Sequence, residues 1–186
     1  MGVLLYHGSD KPVPHPLVGK NSGFSDLGKG FYLTDNYDVA CARASSRARR
    51  TGGTMGTVSI YSLNENAVPW ETWGSPTSLP AGTPFGLRFE PDEAGMVAWM
   101  HYIQACRAGR THVEDLGSPA ITRAWIATEE VEMACSGFAP AEAIAKFIDP
   151  AELIVQYCLL DQGIIDAHLN FIESRHVGGP QRQGAH

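Results

Sequence analysis

Apolar runs broken by glycine and proline divide the first third of the chain into short segments. Val3-Leu4-Leu5-Tyr6 is continuously apolar and closes on His7-Gly8, which predicts a short buried strand with a polar ring at its end. Pro12, Pro14, Pro16, Gly19 and Gly23 make residues 10–25 a loop. Gly28 and Gly30 then flank Lys29, and Phe31-Tyr32-Leu33 predicts a second strand with Tyr32 on the face opposite Phe31 and Leu33. Val39, Ala40, Ala44 and Ala48 recur at helical spacing over residues 37–49. Asp35 or Asn36 is the N-cap of that helix, and Gly52-Gly53 stops it. Val58 to Leu63 alternates apolar and polar, the pattern of a half-buried strand.

The rest of the chain is read in the same way. Residues 64–90 are rich in Pro, Gly, Ser and Thr, with Trp70 and Trp73 placed to cover an edge of the core. Met96, Trp99, Met100 and Ile103 fall at i, i+3, i+4 and i+7 of a helix over 92–107 and form its core stripe. Thr128 is the N-cap of a further helix, with Glu129 and Glu130 in its first turn and Gly137 at its end. Pro140 opens another helix to Ile148, closed by Asp149-Pro150. Leu153 to Leu160 is apolar apart from Gln156 and Tyr157, and reads as an interior strand. A last helix over 161–174 sets Ile164, Ile165, Leu169 and Ile172 toward the core. Residues 178–186 read as a disordered tail. The expectation is one α+β domain over 1–177.

Composition narrows the function classes. The chain has 186 residues, 44% of them hydrophobic and 18% charged, which suits a single packed core and argues against disorder. No apolar run approaches the roughly 20 residues that span a bilayer, and no basic and apolar leader opens the chain. A cytoplasmic location, or export without a cleaved signal, is expected, with no membrane partner. A net charge of −6 argues against indiscriminate nucleic-acid binding. Arg43, Arg47, Arg49 and Arg50 read as cations at a helix C-terminus, with a phosphate contact as the alternative. Cys41, Cys106, Cys135 and Cys158 have no metal-ligand spacing and read as free thiols in a reducing compartment; no metal is expected.

The candidate chemistry lies in two blocks. Tyr6-His7-Gly8-Ser9 and Gly28-Lys29-Gly30-Phe31-Tyr32-Leu33-Thr34 each place one polar ring beside glycine backbone, an arrangement suited to a flat polar ligand. In order and spacing these blocks resemble the ADP-ribosyltransferase superfamily, in the branch whose triad is His, Tyr and then Glu or Gln. That branch includes the poly(ADP-ribose) polymerases and diphtheria-like toxins. The likeness is nearest to a bacterial family with a Tyr-His-Gly-Ser start and a Gly-Lys-Gly-Phe-Tyr-Leu-Thr centre. The resemblance implies a split, mainly antiparallel β-sheet core with surrounding helices, and NAD as co-substrate. It implies contacts to NAD from His7, Gly8, Ser9, Gly30, Phe31 and Tyr32, and catalysis by His7, Tyr32 and a third residue.

For the third position, Gln156 stands alone as an amide in an apolar strand, at the place where the bacterial family has Gln. Glu152 is the rival, because Glu152-Leu153-Ile154-Val155 is similar to a Glu-x-Ile-Val stretch of the polymerases. On one continuous strand the two would share a face. Glu129 and Glu130 complete the set of candidates, and Glu130 with Glu132 makes a Glu-x-Glu pattern. By this resemblance His7 hydrogen-bonds the adenosine ribose, Gly8 reads the nicotinamide amide through its backbone, and Tyr32 stacks on the nicotinamide. Gln156 orients the nicotinamide ribose, and an amide in this role implies transfer of one ADP-ribose unit to a protein or nucleic-acid acceptor. A bacterial toxin or conflict-system effector, with an antitoxin or immunity protein as partner, is the implied setting. Two other readings stay open: a silent module that binds NAD or ADP-ribose, and an NAD-consuming enzyme that removes an RNA 2′-phosphate. This chain departs from the polymerases in having Arg43 where a second stacking Tyr stands and Ala40 where a small hydroxyl stands. Tyr37 or Phe24 is the candidate ring to complete the stack.

Overall fold

The computed structural model describes residues 2–19, 25–73, 79–80, 82–110 and 117–178. The described residues are mixed α/β, with eight strands in a mostly antiparallel sheet and five α-helices, as the α+β reading expects. They form two compact units. Residues 1–16, 33–65 and 168–186 belong to the first, and 17–32 and 66–167 to the second.

In the first unit, β1 (Val3–Ser9) runs antiparallel to β3 (Met55–Leu63) over its whole length, from Val3↔Leu63 to Ser9↔Thr57. On its other side β1 meets the end of β2 (Phe31–Thr34) through Tyr6↔Thr34. α1 (Tyr37–Arg50) lies on this sheet, capped by Asn36, whose side chain accepts from the Val39 N–H at 3.1 Å. Ala40, Ala44 and Ala48 are buried, as their spacing predicts. The small face lets helix backbone approach strand backbone. A Cβ on Gly8 would lie 2.1 Å from the Ala40 carbonyl oxygen, and one on Gly56 would lie 2.4 Å from the Ala44 carbonyl carbon.

β3 is buried on both faces, where its alternation predicts only one. Helix α1 covers Val58 and Ile60. The opposite face is closed by the proline-rich segment: the Val13 N–H donates to Ser59 Oγ at 3.0 Å, and the Tyr61 hydroxyl donates to the Val13 carbonyl.

The last helix is shorter than predicted. α5 spans Gln162–His168, and the chain then turns into a ten-residue strand, β8 (Leu169–Gly178), paired antiparallel with β3. Ile164 and Ile165 do reach the core, but Ile172 is 52% exposed. The ladder decides this. Pairing with β3 satisfies backbone groups on both strands, and Phe171, Ile172 and Val177 suit a pleated surface better than a helix. Gly178, assigned to the tail by sequence, ends this strand; residues 179–186 lie outside the described residues.

The second unit carries β4 (Trp70–Thr72), β5 (Gly86–Arg88), β6 (Ile121–Trp125) and β7 (Val155–Leu159), with the start of β2 beside β7. β4, β5 and β6 are parallel neighbours, and β6 and β7 are antiparallel. α2 (Glu93–Arg107) is capped by Asp92 and buries Met96, Trp99, Met100 and Ile103, the predicted stripe. Trp73 stacks on Phe89 and meets Tyr102 edge-on, while Trp70 closes over Gly86, so both tryptophans serve the core. α3 (Glu129–Cys135) starts at Thr128, whose side chain makes no capping bond. The helix predicted from Pro140 to Ile148 is the short α4 (Ala141–Ala145). Asp149 caps a 3₁₀ turn over Pro150–Glu152, which delays the strand to Val155. Among the described residues, no helix is long and apolar enough to cross a membrane.

Candidate functional site

The first sequence block lies in the first unit. His7, Gly8 and Ser9 follow Tyr6, the residue at which β1 pairs with β2, and continue on β3 opposite Ser59, Val58 and Thr57. All three are half-buried. Gly8 has a packing reason to be glycine, because α1 occupies the space of its side chain. The polar face on which His7 stands extends across the sheet. Ser59 faces His7 on β3, and its hydroxyl meets that of Ser174 on β8 at 3.1 Å. One row further, Thr57 faces Ser9, and its hydroxyl meets His176 Nδ1 at 3.3 Å. Ser59 and Thr57 are fully buried, while His176 is exposed. Sequence reading missed this row. The signal was the polar phase of the β3 alternation, Thr57 and Ser59, which pointed to the same face as His7.

The second block lies in the second unit. Gly28 has φ 101°, a left-handed conformation suited to glycine, and makes the turn before β2. The Tyr32 hydroxyl accepts from the Leu27 N–H at 2.9 Å and donates to the Gly28 carbonyl at 2.8 Å, so it clasps the turn ahead of its own strand. Burial, with Cys158 close by, raises its pKa well above the ordinary 10.0. The phenol stays protonated, and its ring packs against the core of the second unit. Phe31 is buried. Gly30 is required by β7: a Cβ there would lie 2.4 Å from both Cys158 Sγ and the Leu159 carbonyl oxygen. The Cys158 thiol is pushed up to about 12 by burial and is an unreactive filler of this contact.

Gln156 is 3% exposed on β7 and donates from Nε2 to the Trp125 carbonyl at 2.8 Å. A carbonyl only accepts, so the amide nitrogen must face Trp125, and Oε1 is the end that can accept from a ligand. This is a drier place than a solvent-lined cleft. Glu152 is not on the strand with Gln156: it ends the 3₁₀ turn and is exposed. Glu129 and Glu130 are exposed in the first turn of α3. Glu132 is engaged elsewhere. Arg107 holds Glu132 at 2.6 Å and Asp26 at 2.7 Å, which ties the turn before β2 to α2 and α3. The hydrogen bond from Arg107 keeps the Glu132 carboxyl below its ordinary pKa.

Of the rings proposed to complete a stack, Tyr37 packs edge-on against Tyr6, with centroids 5.2 Å apart, and Phe24 lies outside the described residues. Arg43, Arg47, Arg49 and Arg50 are exposed along the end of α1. The second unit also holds a cavity of about 340 Å³ between Ser25, Gly28, Lys29, Cys106 and Ser118. Gln156 and Tyr32 do not line it.

A family model described as a protein of unknown function (DUF3990) matches residues 3–72. The match contains both sequence blocks, with His7 and Tyr32, and stops well before Gln156. Comparison with curated proteins and with solved structures finds no match.

Proposed function

We propose that this chain is an NAD-dependent mono-ADP-ribosyltransferase that moves one ADP-ribose unit to a macromolecular acceptor. The observation that carries the reading is Gln156. It is one buried amide in an apolar strand, its Nε2 bonded to the Trp125 carbonyl so that Oε1 is its accepting end, and it follows the His-Gly and Gly-Lys-Gly-Phe-Tyr blocks in the order the resemblance requires. In this reaction the bond between ribose C1′ and the nicotinamide nitrogen breaks, and its electron pair leaves with nicotinamide. An acceptor nucleophile then bonds to C1′ and loses its proton. The enzyme's share is to hold NAD in the reactive shape and favour the positive charge developing on the ribose.

His7 is assigned to the adenosine ribose, Gly8 and Ser9 to the nicotinamide amide, and Gly30 and Phe31 to the wall beside Tyr32. The hydroxyl bonds of Tyr32 fix its ring at the start of β2, and the resemblance assigns that ring to stacking on the nicotinamide. Gln156 accepts from a hydroxyl of the nicotinamide ribose. No residue in this set is asked to act as a strong base, which suits single transfer to an acceptor that is already nucleophilic. A toxin or conflict-system effector restrained by an antitoxin or immunity protein remains the setting that the resemblance suggests.

A second reading, a module that binds NAD or ADP-ribose without transfer, is favoured by the slight exposure of Gln156. One experiment separates the two. The protein is incubated with NAD labelled in the adenylate half and a cell lysate, which is then divided between protease and nuclease. Transfer predicts label on a macromolecule and release of nicotinamide. A rise in melting temperature with NAD but no nicotinamide release would assign the chain to the second reading.

A further inference from the structure

β8 is the longest described strand and lies at the end of the strand order: β3 takes one of its edges, and no described strand takes the other. Proteins protect such edges by keeping them short, by charged side chains (Lys above all), by Pro, or by β-bulges. β4, the strand at the opposite end of the order, is three residues long. β8 is ten residues long, has neither Lys nor Pro, and its two charged residues, Glu173 and Arg175, offset each other. Its pairing with β3 shifts register between Ile60 and Tyr61, which leaves Ile172 without a ladder partner and nine residues of β8 as ladder positions. Ser174 is the middle one.

We propose that this edge is where a second copy of the chain pairs, strand against strand, antiparallel and centred on Ser174. A two-fold axis there sets Glu173 opposite Arg175 of the partner subunit, and Arg175 opposite the partner's Glu173. The two residues lie on one face of β8, opposite Ile60 and Val58, and bridge each other within the strand. They are 46% and 59% exposed in the single chain, so both remain accessible to the second copy. The next ladder pair is Phe171 with the partner's His176. These two share the other face, since Phe171 meets the Tyr61 ring and His176 bonds Thr57. Outside them Asn170 meets the partner's Val177. The bulge at Ile172 is what keeps both faces in step: counted without it, every ladder residue finds a partner on its own side. A self-complementary patch of this kind is what an isologous two-fold contact needs, and the backbone groups of the edge supply the hydrogen bonds.

The test is sedimentation velocity of the full chain over a wide concentration range. A reversible dimer is expected. Glu173→Arg sets like charges opposite each other at two symmetric positions and should raise the dissociation constant at least about tenfold. Arg175→Glu should do the same, and the double exchange Glu173→Arg with Arg175→Glu should restore the dimer, because the opposed pairs are again complementary. Ser174→Cys should give a disulfide-linked dimer on oxidation that the wild-type chain does not give. Circular dichroism confirms that each variant is folded. A wild-type chain that stays monomeric throughout overturns the proposal. So does a dimer indifferent to both single exchanges, or a folded double exchange that stays monomeric.

Discussion

Beside His7 the first unit keeps a line of hydroxyls and imidazoles across the sheet, partly open to solvent, whereas the second unit closes apolar side chains around the one amide of Gln156. In the first, polar groups sit on a face and make bonds to one another: Ser59 with Ser174, Thr57 with His176. In the second, the hydrogen bonds of the candidate residues also hold the fold: Tyr32 clasps the turn before β2, and Gln156 ties β7 to the Trp125 backbone. Truncating the His7 side chain should therefore separate function from stability, and truncating Gln156 should move both.

The largest effects are expected where glycine admits another backbone. Gly8→Ala meets the Ala40 carbonyl of α1, and Gly30→Ala meets the Leu159 carbonyl of β7. Each should cost about 3 kcal/mol, the upper end for overpacking, read from urea unfolding. If either is tolerated, the facing backbone yields and packing does not require the glycine. Gln156→Ala strands the Trp125 carbonyl and should cost about 2 kcal/mol, while His7→Ala should cost about 1 kcal/mol or less. Equal losses at the two positions would erase the contrast.

Gln156→Glu sharpens it further. A carboxyl can donate to the Trp125 carbonyl only when protonated, so its folded pKa must lie above the ordinary value of about 4.3. Its stability contribution is then present in acid and lost as pH rises through the folded pKa. The urea midpoint of this variant relative to wild type should fall between acidic and neutral pH; a constant difference would show that the amide contact is not maintained. Tyr32 behaves likewise at the alkaline end. Burial raises its pKa above 10.0, so stability is complete below that value and declines as pH rises beyond it. Tyr32→Phe should cost about 1 kcal/mol at neutral pH and make the alkaline decline shallower. Glu152→Gln, exposed on its 3₁₀ turn, should change stability by less than about 0.5 kcal/mol and leave any activity intact.

The parts of the fold legible in the sequence are those set by local rules. The Asn36 and Asp92 caps, the alanine face of α1 and the Met96–Ile103 stripe of α2 all follow from side-chain spacing and capping chemistry. The strand at Leu169 was not legible, because its apolar residues also fit a helical stripe and the pairing with β3 that decides between them is long-range. The placement of Glu152 failed for a local reason: Asp149 and Pro150 make a capped turn that delays the strand. At the candidate site, the residue types and their order were legible. What they bond to was not, since the Leu27 and Trp125 backbone partners carry no side-chain signature.

The most direct test of the central claim is nicotinamide release from NAD, measured for the wild-type chain and for His7→Ala, which among the substitutions of the proposed triad should disturb the fold least. The account predicts steady release by wild type in the presence of lysate acceptors and a loss of at least tenfold in folded His7→Ala. Release that is absent in wild type, or unchanged in His7→Ala, would contradict it.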